Sequence, residues 1–442
     1  MLYSNRDLKK MLVPLVIEQV LVMLVGMVDT VMVANAGEAA VSGVALVDMV
    51  NYLIITVMAA LTTGGSVIIS QYTGSRQPEQ ANRGAGQLMT VSIILSAAIL
   101  AMCLLGYNTI LRLFFGAVEE DVMAAAQIYF LITACSYPFL AIYDTGTALY
   151  RVMGKTRITM YVALAMNALN ITGDFIGVFV FRAGVAGVAV PTLVSRLFAA
   201  VIMTVLARGK QNDIRLQGHH IFAWDHDMVR RILKIAVPSG VENGLFALGK
   251  VLVTSIVAGF GTIQIAANGV ANSIDQIAIM VVNANNLAIV PVVGRCIGSG
   301  DDVQAQIYTK KLMKISYIST AALSAVVAAL LPVLLPFYEL SPDTLRLAAI
   351  LIILHNLLAM ALHPTSFNLA NSLRATGDAK FTMEAGIGSM VVFRLGSAIL
   401  LGKILRLGIL GVWAAMGLDW LARSVAFVWR YKLGKWRSIE SI

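Results

Sequence analysis

The sequence predicts an all-α, polytopic membrane protein: twelve transmembrane helices in two parallel six-helix lobes, residues 1–207 and 232–442, joined by a cytoplasmic linker at 208–231. Three observations predict it. The first is composition, with 58% hydrophobic and 13% charged residues and a mean hydropathy of +0.81, where a soluble domain carries about 25% charged residues. The second is a series of apolar runs of about twenty residues, the length a helix needs to cross roughly 30 Å of hydrocarbon. The third is that the chain is written twice. Val13, Pro14 and Glu18 recur as Val237, Pro238 and Glu242, an offset of 224. Arg151-x-x-Gly154-x-x-Arg157-x-Thr159-Met160 recurs as Arg374-x-x-Gly377-x-x-Lys380-x-Thr382-Met383, and Gly184-x-x-Gly187 as Gly408-x-x-Gly411. Duplicated helical units of this kind characterise transporters whose ligand path lies between the repeats.

The twelve runs fall near 11–35, 47–72, 86–107, 123–149, 158–181, 184–207, 232–259, 271–294, 312–338, 345–371, 381–402 and 406–429. Lys9 and Lys10 before the first run, and Ala34-Asn35-Ala36 after it, give it some look of a signal peptide. It is longer than a signal core of about 7 to 15 residues, and its second copy lies in mid-chain, so it is read as a retained span. Six spans per repeat return each copy to the side it started from, which makes the halves parallel rather than inverted.

Lys and Arg residues collect in cytoplasmic loops. With the N-terminus inside, only Arg112, Arg182, Arg346, Lys403 and Arg406 fall on outer loops, while the outer side holds Glu119, Glu120 and Asp121. Both termini are therefore expected in the cytoplasm, the protein being a multi-pass component of the plasma (inner) membrane. The net charge of +9 reports this asymmetry and contact with anionic lipid heads, with no nucleic-acid module to use it. Within the linker, His219 and His220 read as a solvated pair, because no Cys or acidic residue stands at metal-ligand spacing. Cys103, Cys135 and Cys296 lie in spans or at the inner face, so no structural disulfide is expected.

Ionisable groups inside a span are costly and mark function by default. The candidates are Glu18, Asp29, Asp48, Asp144, Asp174, Glu242, Asp275 and Asp419, with Arg196, Lys250, Arg394 and Arg423. At 1.5 Å rise per residue, Asp29 lies roughly 8 Å below the outer end of the first span, Asp174 roughly 10 Å below that of the fifth, and Thr192 about 12 Å down the sixth. Asn170 sits one turn from Asp174 on the same face. Two carboxylates, an amide and a hydroxyl in one layer suit a proton, since two close carboxylates do not both ionise cheaply, or a small hard cation bound by oxygen ligands.

These residues resemble those of the multidrug and toxic compound extrusion family, over essentially the whole chain. The resemblance rests on Pro14 and Asp29 in the first span, Asn170-x-x-x-Asp174 in the fifth, Thr192 in the sixth, and the Gly-rich inner loop around Gly74 with its copy at Gly298. It implies a secondary transporter rather than an enzyme: a cation-coupled antiporter exporting lipophilic, mostly cationic organic compounds. It assigns Asp29, Asn170, Asp174 and Thr192 to the cation site and Pro14 to a bend in the first helix, consistent with the lost backbone hydrogen bond of an interior proline. No cofactor is implied beyond the coupling ion, proton or sodium. The expected partners are small organic substrates and lipid, and the chain is expected to act as a monomer.

The chain also departs from the family pattern. Some members carry a glutamate in the seventh helix and an aspartate in the tenth where this chain has Phe246 and His363. A second cation site in the C-terminal lobe is thereby left open, with Glu18, Glu242 and His363 as secondary candidates. Two other functions were weighed. A lipid-linked oligosaccharide flippase of the same superfamily calls for several basic residues in the cavity, and only Lys250, Arg196, Arg394 and Arg423 are available. An intramembrane aspartyl protease is suggested by Asp144-Thr145-Gly146, but no second such triplet exists.

Overall fold

The computed structural model describes residues 2–116 and 118–439. Among the described residues every regular element is helical. In the first half these are α1 (Asn5–Ala34), α2 (Glu38–Gly74), α3 (Pro78–Phe115), α4 (Glu120–Cys135), α5 (Tyr137–Val152), α6 (Thr156–Phe175), α7 (Ala186–Ala207) and the short α8 (Gly218–Phe222). The second half holds α9 (His226–Ala258), α10 (Thr262–Gly298), α11 (Asp302–Leu334), α12 (Pro342–Ala375), α13 (Ala379–Ser389) and α14 (Gly408–Lys432). Among the described residues eleven helical segments are long and apolar enough to cross a membrane, and α4 with α5, bent by 45° about Ser136, makes a twelfth. The fourth span of the sequence reading is thus a broken one. Large apolar side chains such as Leu105, Leu113 and Val425 are exposed, as expected of a surface solvated by lipid tails rather than water.

Local sequence sets the helix ends. Ser4 and Asp7 form a capping box at the start of α1, the Asp7 amide donating to Ser4 Oγ at 3.2 Å and the Ser4 amide to Asp7 Oδ2 at 2.9 Å. Asp301 caps α11 by accepting from the Gln304 amide at 2.9 Å, and that hydrogen bond holds its carboxyl below the usual range. Pro14 lies within α1, which runs on through it. A proline there cannot donate to the carbonyl four residues back, and the Thr156 hydroxyl covers the exposed rim, donating to Met11 O at 2.8 Å with Lys10 O at 3.4 Å.

The duplication is visible in the backbone. Gly184 and Gly408, which open the sixth and twelfth spans, both have φ +58°, and Arg182 and Arg406 just before them have φ 50° and 57°. The left-handed region costs a side chain roughly 1–2 kcal/mol, so the same hairpin is built twice with glycine at its tightest residue. Both copies also pass into π-helix at the end of the preceding span, over Ile176–Val180 in the first and over Met390–Gly396 and Ala398–Ile404 in the second. Wide turns of that kind recur at functional positions in helices.

The chain forms two compact units, Tyr3–Gly240 and the residues from Val241 on together with Leu2. The division falls inside α9, whereas the sequence reading begins its second lobe at 232. The first turns of α9 pack on α2, where a Cβ on Gly64 would stand 2.8 Å from the Ala236 methyl and the Ile232 carbonyl. In the first unit Val47, Met58, Leu111, Phe130 and Tyr137 share one core cluster. In the second, Ala271, Ile274, Leu351, Ala359, Val412 and Trp420 pack together. Alanines such as Ala271 and Ala359 let neighbouring helices approach closely between the larger side chains, as suits helices that associate in lipid by close packing.

Candidate functional site

Close contact between α6 and α7 builds the site of the first unit. A Cβ on Gly173 would lie 2.6 Å from the Pro191 ring, and one on Gly177 would lie 2.2 Å from the Gly187 carbonyl. The two spans therefore meet closely on either side of Asp174, at Gly173 against the proline ring and at Gly177 backbone to backbone. This approach sets Asn170 against Thr192, the amide donating to the hydroxyl at 3.3 Å, while Thr192 donates onward to Val188 O at 3.0 Å. α1 packs along α6 and brings Asp29 beside Asp174, close enough for their carboxyl groups to interact. Asp174 is 1% exposed. Oδ1 of Asp29 and Oδ1 of Asp174 are buried with no hydrogen-bond partner among the described residues. The four residues selected from the sequence thus come together as two adjoining pairs, and two carboxyl oxygens face the interior unsatisfied.

A carboxylate only accepts hydrogen bonds, so two carboxyl groups this close bond to each other only when one is protonated. With both ionised, two negative charges stand side by side in a medium that screens them poorly.

The secondary candidates fall elsewhere. Glu18 accepts from Arg151 Nη2 at 3.0 Å and from the Thr159 hydroxyl. Its copy Glu242 accepts from Arg374 Nη2 at 2.5 Å and lies 3.6 Å from Arg423 Nη1. Each glutamate thus ties its helix to an arginine of the same unit. His363 lies among aromatic rings, stacked on Phe367 at 4.4 Å and edge-on to Trp420 at 4.9 Å, with its Nδ1 lacking a partner among the described residues.

One pairing escaped the sequence reading. His355 Nδ1 stands 3.3 Å from Asp275 Oδ1, both side chains buried and neither atom in hydrogen-bond alignment. Asp275 was a candidate, but its partner lies eighty residues away on α12 and no spacing rule joins them. In the first unit a further polar group surrounds Asp48, which accepts from Tyr129 OH and Asn51 Nδ2 at 3.3 Å each, while Tyr137 OH donates to Asn51 Oδ1 at 2.6 Å. Arg196 donates to Ser136 Oγ at 2.7 Å, at the break in the fourth span.

A family model described as MatE matches residues 14–176 and again 238–400, two stretches of equal length at the offset read from the sequence. The chain belongs to this family, the multidrug and toxic compound extrusion transporters. A MatE protein is a transporter and not an enzyme, which removes the protease reading of Asp144. Among relatives of this MatE chain, the uncharacterized transporter YisQ of Bacillus subtilis is 29% identical over 433 residues, covering 96% of this chain and 93% of the relative. The probable multidrug resistance protein NorM of Thermotoga maritima is 25% identical over 436 residues, covering 98% and 93%. The solved outward-facing conformation of a multidrug resistance MATE family transporter of the MOP superfamily superposes with a TM-score of 0.91 at 19% identity, covering 98% of this chain and 96% of that one, and so shares its fold.

Proposed function

We propose that this MatE protein is a cation-coupled antiporter that exports lipophilic, mostly cationic organic compounds from the cytoplasm, with the coupling cation held by Asp29, Asn170, Asp174 and Thr192. The observation that carries the reading is the close approach of the Asp29 and Asp174 carboxyl groups, each with a buried Oδ1 that has no partner among the described residues. It favours the proton as the coupling ion, since one shared proton removes the repulsion of two close buried carboxylates. The protein works as a monomer in the plasma membrane with both termini inside. Relatives named as multidrug resistance proteins support export of varied compounds, and the family resemblance suggests their lipophilic, mostly cationic character.

With the proton in place, α1 is tied to α6. Without it the two carboxylates repel, and α1 moves relative to α6 about the weakened backbone at Pro14, where Thr156 is the lateral restraint. Cation and drug need only bind the two states unequally for export of one to be driven by entry of the other. The flippase alternative is disfavoured by the basic residues. Arg423 is engaged by Asp419 at 3.0 Å and by Gly386 O at 3.1 Å, and Arg196 by the Ser136 hydroxyl at 2.7 Å, so these two guanidinium groups are already held inside their own units.

Proteoliposome efflux of a fluorescent organic cation, driven separately by a pH gradient and a sodium gradient, tests the proposal. Transport driven by pH in the wild type, and lost in Asp29→Asn and in Asp174→Asn, is the expected result. Transport driven by sodium alone assigns the site to sodium. Undiminished gradient-driven transport in the double variant overturns the assignment.

A further inference from the structure

Of the two linker histidines only His219 is solvated. Gln87 on α3 holds the linker backbone at three points: Nε2 donates to His220 O at 2.6 Å and to Ala223 O at 2.5 Å, and Oε1 accepts from the Asp225 amide at 3.1 Å. The Thr90 hydroxyl adds a fourth hydrogen bond, to Ile221 O at 2.5 Å. Gly86 lets the strap lie flat on the helix, since a Cβ there would stand 2.6 Å from that of His220. This anchoring buries His220 and turns its ring toward the second residue of α3, with Nε2 3.0 Å from Glu79 Oε1. The His219 ring lies 3.9 Å from that of His220, centroid to centroid. One ligand atom from each of Glu79, His219 and His220 falls within 4.8 Å of the others.

We propose that Glu79, His219 and His220 form a binding site for a zinc-like divalent transition-metal ion, clamping the linker to the start of α3. Two imidazoles and a carboxylate with a solvent-facing fourth position are a common open zinc donor set, whose ligands at about 2.0–2.2 Å from the metal stand roughly 3.4 Å apart. Small rotations of the exposed Glu79 and His219 side chains close the remaining gap, while His220 is already placed. Two nitrogen ligands select against magnesium and calcium, which take oxygen. The acidic partner was invisible to spacing because it arrives from a helix about 140 residues earlier in the chain.

The test is metal titration of tag-free, chelator-treated, full-length protein in detergent, on a background with Cys103, Cys135 and Cys296 changed to Ser to remove competing thiolates. Calorimetry with Zn2+ is expected to give one site per chain, and Co2+ a visible absorption band typical of tetrahedral coordination. Glu79→Gln and His219→Ala, both at exposed positions that leave the anchored backbone alone, are each expected to weaken Zn2+ binding by at least about tenfold, as loss of one of three ligands implies, and to abolish the band. Absence of Zn2+ binding, binding of unchanged affinity in both variants, or Mg2+ binding as tightly as Zn2+ would each overturn the proposal.

Discussion

Glu242 and Arg374 form a buried ion pair at 2.5 Å, and Glu18 and Arg151 form its copy at 3.0 Å in the other half of the chain. Removing one partner of a buried pair strands the other charge at about 3–5 kcal/mol. Glu242→Gln is therefore expected to lower the thermal midpoint in detergent more than Glu18→Gln does, because Glu242 also faces Arg423, whereas the Arg151 side chain keeps 21% exposure. In a double-mutant cycle, Glu18→Gln with Arg151→Gln should cost less than the two single changes added together. Additive costs would mean that the pair is not coupled.

The second prediction concerns the α6–α7 contact that carries the site. Gly177→Ala places a methyl against the Gly187 backbone at 2.2 Å and Gly173→Ala one against Pro191 at 2.6 Å. Overpacking of this kind costs about 1–3 kcal/mol and should shift Asp174 away from Asp29. Both variants are expected to lose transport along with stability, as read by thermal unfolding and efflux. Gly388→Ala, where an added Cβ meets nothing within 4 Å, is the matched control and should keep both.

Much of the fold was legible in the sequence because in lipid the backbone must satisfy its own hydrogen bonds, which ties span length to apolar run length. The offset between Pro14 and Pro238 carried the duplication directly. Asp29, Asn170, Asp174 and Thr192 were legible because each is a polar residue at one depth on a helix of known rise. What escaped were partnerships across helices. The break at Ser136 did carry a signal, Pro138 at the second residue of α5, where a proline ends one helix and opens the next, but the apolar run continues through it. Arg151 and Arg374 belonged to the repeated landmarks, yet nothing in a linear pattern says that an arginine of the fourth span's inner end reaches Glu18. Asp275 with His355, and Glu79 with the linker histidines, depend likewise on which helix faces which.

A third prediction follows from the linker anchor. Gln87→Ala removes three hydrogen bonds to the backbone between His220 and Asp225 while leaving every linker residue unchanged. Trypsin cleavage at Arg215 and its neighbours is expected to accelerate in this variant, since local opening exposes the chain. An unchanged cleavage rate would mean that the strap is held by something other than Gln87.

The most direct test of the coupling claim is whether binding of an organic cation displaces protons from the Asp29–Asp174 pair. Purified protein in weakly buffered detergent solution with a pH indicator would be mixed with ethidium, and the proton signal read against ligand bound. The account predicts proton release on binding in the wild type and its loss in the Asp29→Asn/Asp174→Asn double variant. Equal release from both proteins would contradict it.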